Sequence, residues 1–459
     1  MLPDDILLEV FHFYVDNPRD GPLRDSIKEV IESWQRLVHV CRRWRIVVFG
    51  SPRRLNLQLA CGANTDTVDI WPALPLVILG YDPIRREDNT FALLERSDLV
   101  RRISQITHWE LSSRELEDIL EAMQVPFPEL THLHLYNYDK SKPVVPLSDS
   151  FLGGSAPRLR SLSLGYIPYP GLPKLLLSAT HLTDLHLYEI PDFGYISPEA
   201  MVACLSTLTS LELLCLEFLF PPPLHGQESQ RPPPSIRTSL PVLHHFTFKG
   251  GGEYLEYLLG RIDAPRLSYL DITFFNDIVF VTPQFTRFIS HTPTFEAFDE
   301  ATIAFEDSTA SVKLSSAYAR LYVSISCREL DWRLSFLEQV CTSSLPTLST
   351  SQDLYMMSDD PWPQDWKDNI DYAQWLELLH SFSTVKNLYL SKEIAPCVVP
   401  ALRDLVGGRT TEAFATLENI FVEELQPSGP VQEGIGKFVA ARQVTSHTIT
   451  VSLWDRDSN

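Results

Sequence analysis

The segment FPELTHLHL, residues 127–135, decides how the rest of the chain is interpreted. Its apolar residues follow the order apolar–x–x–apolar–x–apolar, with Leu130, Leu133 and Leu135 in the three apolar positions. The last two leucines alternate with a polar residue, which is the pattern of a short strand with one buried face. The segment therefore predicts a strand whose leucines point into a core.

The same spacing recurs along the chain. The further units are Leu159/Leu162/Leu164, Leu182/Leu185/Leu187, Leu211/Leu214/Leu216, Leu243/Phe246/Phe248, Leu267/Leu270/Ile272, Val385/Leu388/Leu390 and Leu417/Ile420/Val422. The first six units begin 23 to 32 residues apart. A period of this size is typical of stacked units that are each too small to bury their apolar face alone.

The segments between these strands have the apolar spacing of short helices, as in residues 254–262, 332–341, 372–382 and 397–406. The alternation of strand and helix over roughly residues 127–425 resembles leucine-rich repeats. Regular repeats carry Asn or Cys three positions after the last leucine, whereas Tyr138, Ile167 and Ile190 stand there in this sequence. The resemblance therefore implies an irregular leucine-rich-repeat solenoid.

The composition excludes several classes of function. The chain of 459 residues has 59 acidic and 38 basic residues, a formal charge of −21, which disfavours broad attraction to nucleic acid or to anionic membranes. Seven scattered cysteines without a C-x-x-C pair, and an N-terminus without the charge of a signal peptide, predict a cytoplasmic or nuclear protein. Common nucleotide-binding, hydrolase and metalloprotease motifs are missing, so we expect no enzyme activity, no cofactor and no metal.

The first 54 residues differ from the repeats. LPDDILLEVFHFYV (2–15) and LVHVCRRWRIVV (37–48) each place apolar residues on one helical face. Three interpretations compete for the second segment: a metal or redox site at His39 and Cys41, a docking helix, and a nucleic-acid site. The last would use Trp44 and the arginines Arg42, Arg43, Arg45, Arg53 and Arg54. Since Cys41 lacks further ligands at zinc spacing, and the arginines fit the polar side of an amphipathic helix, docking is favoured.

Together the two segments resemble an F-box, with Leu-Pro, an amphipathic helix, and then L-x-x-V-C-[KR]-x-W-[KR]. The intervening segment 16–33 is longer than usual, and this insertion and the continuation SPRRLNLQL resemble F-box proteins of mushroom-forming fungi. The resemblance implies contact with the Skp-type adaptor of a cullin ubiquitin ligase through Leu2, Pro3, Ile6, Leu7, Val10, Leu37 and Val40. It assigns internal packing to Phe11, Cys41 and Trp44. The alternative is that all of these residues form the core of an N-terminal cap on the repeats.

We therefore expect an α/β protein with three regions. An N-terminal all-α F-box-like helical domain covers residues 1–54, a transition covers 55–126, and an irregular leucine-rich-repeat solenoid covers 127–459 with a proline-rich loop at 221–235. The expected function is that of the substrate receptor of a Skp–cullin–F-box ligase. It would bind a protein target through residues between the repeat leucines, namely His134, Ser163, His186, Cys215, Thr247 and Asp271. The alternatives are a repeat scaffold without a ligase role and, less favoured, nucleic-acid binding through Arg42–Arg54.

Overall fold

The computed structural model describes residues 2–16, 30–61, 68–80, 90–140, 146–220, 237–275, 282–306, 308–327, 329–345, 348, 350–358, 372–404, 414–424, 429–444 and 448–456. The described chain divides into two compact units, Met1–Ile196 and Ser197–Asn459. The predicted boundaries at residues 54 and 126 both fall inside the first unit. The predicted proline-rich loop, and the segment 17–29 of the N-terminal insertion, lie outside the described residues.

The N-terminal unit combines helices with a parallel sheet. Its helices are α1 (Asp4–Asp16), α2 (Gln35–Val38), α3 (Arg42–Gly50), α4 (Thr90–Glu95), α5 (Ser97–Val100), α6 (Ser113–Ala122) and α7 (Leu172–Ser178). Its strands are β1 (Leu59–Cys61), β2 (Leu76–Gly80), β3 (Ile103–Leu111), β4 (His132–Asn137), β5 (Ser161–Gly165) and β6 (Asp184–Ile190). These strands lie side by side in chain order, and each pairs with the next in parallel.

The C-terminal unit holds a longer, mixed sheet. Its helices are α8 (Pro198–Leu205), α9 (Gly252–Leu259), α10 (Pro283–His291), α11 (Leu330–Gln339), α12 (Tyr372–His380), α13 (Ala395–Asp404) and α14 (Pro430–Val444). Its strands are β7 (Leu213–Phe218), β8 (Thr238–Ser239), β9 (His245–Gly250), β10 (Ile262–Asp263), β11 (Tyr269–Phe275), β12 (Glu300–Glu306), β13 (Thr309–Ser315), β14 (Arg320–Ser326), β15 (Asp353–Ser358), β16 (Asn387–Leu390), β17 (Asn419–Val422) and β18 (Thr450–Leu453). Their order is β7-β9-β11-β14-β13-β12-β15-β16-β17-β18, while β8 and β10 pair separately.

The apolar alternation explains where the strands form and which face they bury. In each repeat unit the last two apolar residues lie in a strand and are buried, whereas most residues between and beside them are half-exposed. The buried side chains meet the helices: Phe274 of β11 lies 6.5 Å from Phe285 of α10, and Phe305 of β12 lies 5.8 Å from Trp375 of α12, between ring centroids. Because successive side chains of a strand point to opposite faces, the half-exposed residues form the other face.

The predicted fold class was wrong in two respects. Within the described residues, sixteen strands, six in the first unit and ten in the second, build mostly parallel sheet structure. The protein is thus a mixed α/β fold, and the all-α N-terminal domain does not exist as a separate body. Helices α1 to α3 belong to the same compact unit as strands β1 to β6.

The second error concerns the solenoid. A repeat solenoid requires one strand per unit, all parallel and in chain order, but β12, β13 and β14 form an antiparallel meander placed in reverse order. Strand β14 pairs with β11, and β12 pairs with β15, both in parallel. The segments 300–306, 309–315 and 320–326 each alternate apolar and polar residues and follow one another closely in the sequence, a pattern that favours hairpins over strand–helix units.

No helix among the described residues has both the length and the apolar character needed to cross a bilayer.

Candidate functional site

Helix α1 carries two apolar stripes, of which folding covers one. Leu7, Leu8 and Phe11 are buried against the rest of the unit. The second stripe has helical spacing and is exposed, and it consists of Leu2, Ile6, Val10, Phe13 and Tyr14. Val40, before α3, and Ile46, within α3, are also exposed. Leu2 precedes the first residue of α1 and extends this stripe. We call the whole exposed stripe together with Val40 and Ile46 the N-terminal apolar surface.

The predicted adaptor contacts divide between this surface and the interior. Leu2, Pro3, Ile6, Val10 and Val40 are exposed and available to a partner. Leu7 and Leu37 were also predicted to contact the adaptor, but they are 5% and 6% exposed. Both side chains pack inside the unit, so in this conformation neither of them can contact an adaptor directly.

The residues predicted to hold the helices together behave differently from one another. Phe11 is fully buried and its ring centroid lies 4.7 Å from that of the half-buried Trp44, which ties α1 to α3. Cys41, in contrast, is exposed. Its backbone is extended at the residue before α3, so the predicted helical stripe through Cys41 is interrupted there. The assignment of Cys41 to internal packing is therefore corrected.

Part of the arginine cluster serves the fold. The Arg43 guanidinium donates to Asp4 Oδ1 at 2.7 Å and to the Leu2 carbonyl at 2.5 Å. Arg54 donates to the Glu9 carboxylate, and Arg45 donates to the Val38 carbonyl at 3.1 Å. The Arg43 and Arg54 bonds hold α1 against the segment around α3, and the Arg45 bond holds α3 against α2. These structural roles weaken the case for a phosphate-binding cluster.

The sequence interpretation missed the residues that join the helices to the sheet. Trp34 is fully buried, its indole Nε1 donates to the Gln58 carbonyl at 2.9 Å, and its ring centroid lies 5.1 Å from that of Trp71. The Glu32 carboxylate accepts from the backbone N–H of Ala60 in β1 at 3.2 Å. Strand β1 is the first of the unit's sheet, and an uncovered edge strand invites pairing with other chains. This segment thus anchors the helices to the sheet edge.

The second candidate surface is the exposed face of the sheet in the N-terminal unit. His134 of β4 pairs in register with Ser163 of β5, which pairs with His186 of β6. The structure thus brings these three predicted target-binding residues together. Ser163 is buried between its larger neighbours, so its predicted contact with a target is corrected, and the two histidines remain half-exposed.

His134 is partly buried on this face and lies among polar and aromatic side chains. Its Nε2 lies 3.2 Å from Ser161 Oγ, and its ring centroid lies 5.6 Å from that of the exposed Trp109. Its Nδ1 is buried without a hydrogen-bond partner within the described residues. Burial, followed by the nearby rings of His132 and His186, lowers the pKa of His134 to about 4.

This shift predicts a pH dependence of stability. The imidazole titrates near 6.5 in the unfolded chain and near 4 in the folded one, so between these values the unfolded chain binds more protons. The free energy of unfolding should therefore fall as the pH drops from about 6.5 toward 4. Replacing His134 by Gln should make this fall smaller, measured as the urea midpoint across that range. The same change at the exposed His181 is the control. If the free energy of unfolding depends equally on pH in both variants, His134 is not the source of the effect.

In the C-terminal unit the remaining predicted target-binding residues also form one row. Cys215 of β7, Thr247 of β9 and Asp271 of β11 pair in register, and the row continues to Tyr322 of β14. Cys215 is buried, so its predicted contact with a target is corrected. Burial raises the pKa of Asp271 to about 6, although the Tyr269 hydroxyl lies 3.4 Å from Asp271 Oδ2 and partly opposes the shift.

A stack of three aromatic rings further along this face was missed. Tyr355 of β15 and Tyr389 of β16 have ring centroids 4.3 Å apart at 12°, and Tyr389 and Phe421 of β17 have theirs 4.6 Å apart at 8°. We call these three rings the aromatic stack. Its signal in the sequence is an aromatic residue at the middle position of LYM, LYL and IFV. Ser351 occupies the first apolar position of the LYM unit, which hides that repeat.

The described residues contain no group of three or more His, Cys, Asp or Glu side chains placed to hold a metal ion. No model of a known protein family matches the sequence, and no similar protein is found among curated proteins.

Proposed function

We propose that this protein is a substrate receptor of a Skp–cullin ubiquitin ligase. The observation that carries the proposal is the N-terminal apolar surface, because folding leaves exposed five of the seven residues that the F-box resemblance assigns to the adaptor contact. Burying a Leu, Ile, Val or Phe side chain is worth about 1.5–3 kcal/mol. Leaving a row of such residues in water therefore favours a partner that covers it.

The surface is held ready for binding. The Phe11–Trp44 contact and the Arg43–Asp4 bonds fix α1 against α3, so the exposed stripe is presented on a rigid element. A preformed surface loses less conformational entropy on association than a flexible one. Exposed ion pairs contribute only about 0–1 kcal/mol each, so the contact between the buried Phe11 and the half-buried Trp44 supplies most of this stabilisation.

The receptor role assigns a second task to the sheet. In each unit the half-exposed face of the sheet presents polar and aromatic side chains, such as His186 in the first unit and Thr247 and Asp271 in the second. We propose that these faces contact the protein target. The chain itself carries out no chemistry in this scheme. It brings the target close to the ubiquitin-charged enzyme, and proximity increases the rate of transfer. Such a receptor would act in the cytoplasm or the nucleus.

Assembly from purified components tests the proposal. The wild-type chain, a Skp-type adaptor and a cullin–RING pair should elute together from size exclusion as one stoichiometric complex, and omission of the adaptor should release the chain. A chain that remains separate when all components are present would favour the alternative, a recognition protein without a ligase role.

A further inference from the structure

The exposed face of the C-terminal unit places two carboxylates directly opposite one another. Glu300 of β12 pairs in register with Asp353 of β15, and the same two strands pair Thr302 with Tyr355. Like charges directly opposite across neighbouring strands destabilise a sheet. Within the described residues neither carboxylate has a cationic partner: Glu300 accepts from Ser315 Oγ at 3.0 Å, and Asp353 Oδ1 accepts from Asn387 Nδ2 at 2.6 Å.

The aromatic stack begins beside this pair. Tyr355 is its first ring, and its in-register neighbour on the side away from Tyr389 is Thr302, which has a small side chain. Burial raises the pKa of the Tyr355 phenol, and the charges of Asp353 and Glu300 add to the shift, so both carboxylates act on the ring. One face of a tyrosine and two uncompensated carboxylates therefore meet at one place.

The C-terminal segment packs a tryptophan against the first two rings of the stack. Trp454 follows β18, is 5% exposed, and has its ring centroid 6.0 Å from that of Tyr355 and 5.5 Å from that of Tyr389. Its indole Nε1 is buried without an acceptor within the described residues. A buried N–H without an acceptor is costly, so this tryptophan position is polar as well as aromatic.

We propose that Glu300, Asp353 and the side of Tyr355 that faces away from Tyr389 form a binding site for an arginine side chain of a peptide. The planar guanidinium can stack on the tyrosine while its N–H groups pair with the two carboxylates, a combination that an ammonium reproduces less well. Charge complementarity selects this occupant, because a cation relieves the repulsion between Glu300 and Asp353. That the peptide belongs to a ligase target rests on the proposed receptor function, whereas the chemistry of the site does not.

Two basic residues on the same face allow a further test of the proposal. Lys313 of β13 pairs in register with Thr302 and is exposed, so this lysine stands on the strand next to the one that carries Glu300. Arg320 of β14 pairs with Ser315, which places it two strands from Glu300. Both charges oppose an incoming guanidinium. Removal of Lys313 should therefore strengthen binding, an effect opposite to the loss of the carboxylates.

Fluorescence anisotropy with a labelled Gly-Arg repeat peptide tests the site on the full chain without adaptor. The double variant Glu300→Gln/Asp353→Asn should weaken binding about tenfold, as expected for the loss of charge pairs close to a bound cation. Tyr355→Leu should weaken it about fivefold, as for loss of a ring–cation contact. Lys313→Ala should strengthen it about twofold at low salt.

The matched control is Glu117→Gln/Asp118→Asn, which removes the same charge from exposed positions of α6. Equal weakening by both double variants would mean that only the net charge of −21 attracts the peptide, and would overturn the proposal. If a Gly-Lys peptide binds as tightly as the Gly-Arg peptide, then stacking of the guanidinium on Tyr355 contributes nothing. That result would also overturn the proposal. Because no adaptor is present, failure here leaves the receptor role standing, and failure of the adaptor to bind leaves this site standing.

Discussion

A chain with Ile6→Asp and Val40→Asp together is expected to bind a Skp-type adaptor at least about 100-fold more weakly than the wild type, a loss of about 2.7 kcal/mol. The two side chains are 47% and 59% exposed, so folding does not depend on them. In a complex they would be covered, and each buried aliphatic side chain is worth about 1.5–3 kcal/mol. The introduced carboxylates would also have to be buried without partners, which adds to the loss.

Calorimetric titration of the adaptor into each purified variant measures this effect. The matched control is Leu177→Asp with Val125→Asp, two exposed apolar residues of the same unit that lie outside α1 to α3. We expect the control to bind as the wild type does. Wild-type affinity of the Ile6/Val40 variant, with unchanged circular dichroism, would show that the N-terminal apolar surface does not contact the adaptor. Leu7→Asp is a poorer test, because Leu7 is buried and its substitution damages the fold.

The second large effect is expected at Trp34. Replacement by Ala should lower the local free energy of unfolding of residues 30–61 by about 3–5 kcal/mol, the range for truncating a buried aromatic side chain. The indole fills the space between Phe49 and Trp71 and donates to the Gln58 carbonyl, so its removal leaves a cavity and an unpaired acceptor. Helices α2 and α3 would then lose their attachment to the edge of the sheet.

Hydrogen exchange read by mass spectrometry resolves this change along the chain. Amides of α3 and β1 should exchange faster in Trp34→Ala, whereas Trp109→Ala, at an exposed tryptophan of the same unit, should change stability by less than about 1 kcal/mol. Unchanged exchange across residues 30–61 in Trp34→Ala would mean that the helices are stable without the sheet. That outcome would restore the all-α domain that the structure contradicts.

Local patterns predicted the strands of the repeat units well, because the alternation of apolar and polar residues in each unit shows which side of the strand is buried. Leu133 and Leu135, or Leu270 and Ile272, need only the period of two to be placed in a strand with a buried side. The reversal of β12 to β14 could not be predicted in this way, since strand order depends on contacts between distant residues such as Asp271 and Tyr322.

The site residues show the same limit. The stripe of α1 is visible in the sequence, but which of its two apolar sides is covered depends on the elements that pack against it. For the same reason the burial of Leu7 and Leu37 could not be predicted from the sequence. The predicted packing role of Cys41 assumed that the helix runs through this residue, because the apolar residues around it have helical spacing. The backbone is extended at Cys41, so its side chain does not continue the buried stripe. Glu300 and Asp353 are distant in sequence and meet only through the register of β12 and β15.

The most direct test of the receptor account is the affinity of the purified wild-type chain for a purified Skp-type adaptor, measured by calorimetry without other components. The account predicts saturable one-to-one binding with a dissociation constant of about 1 µM or tighter, which corresponds to about 8 kcal/mol. Absence of heat and of co-elution at adaptor concentrations far above this value, with a folded chain, would contradict it.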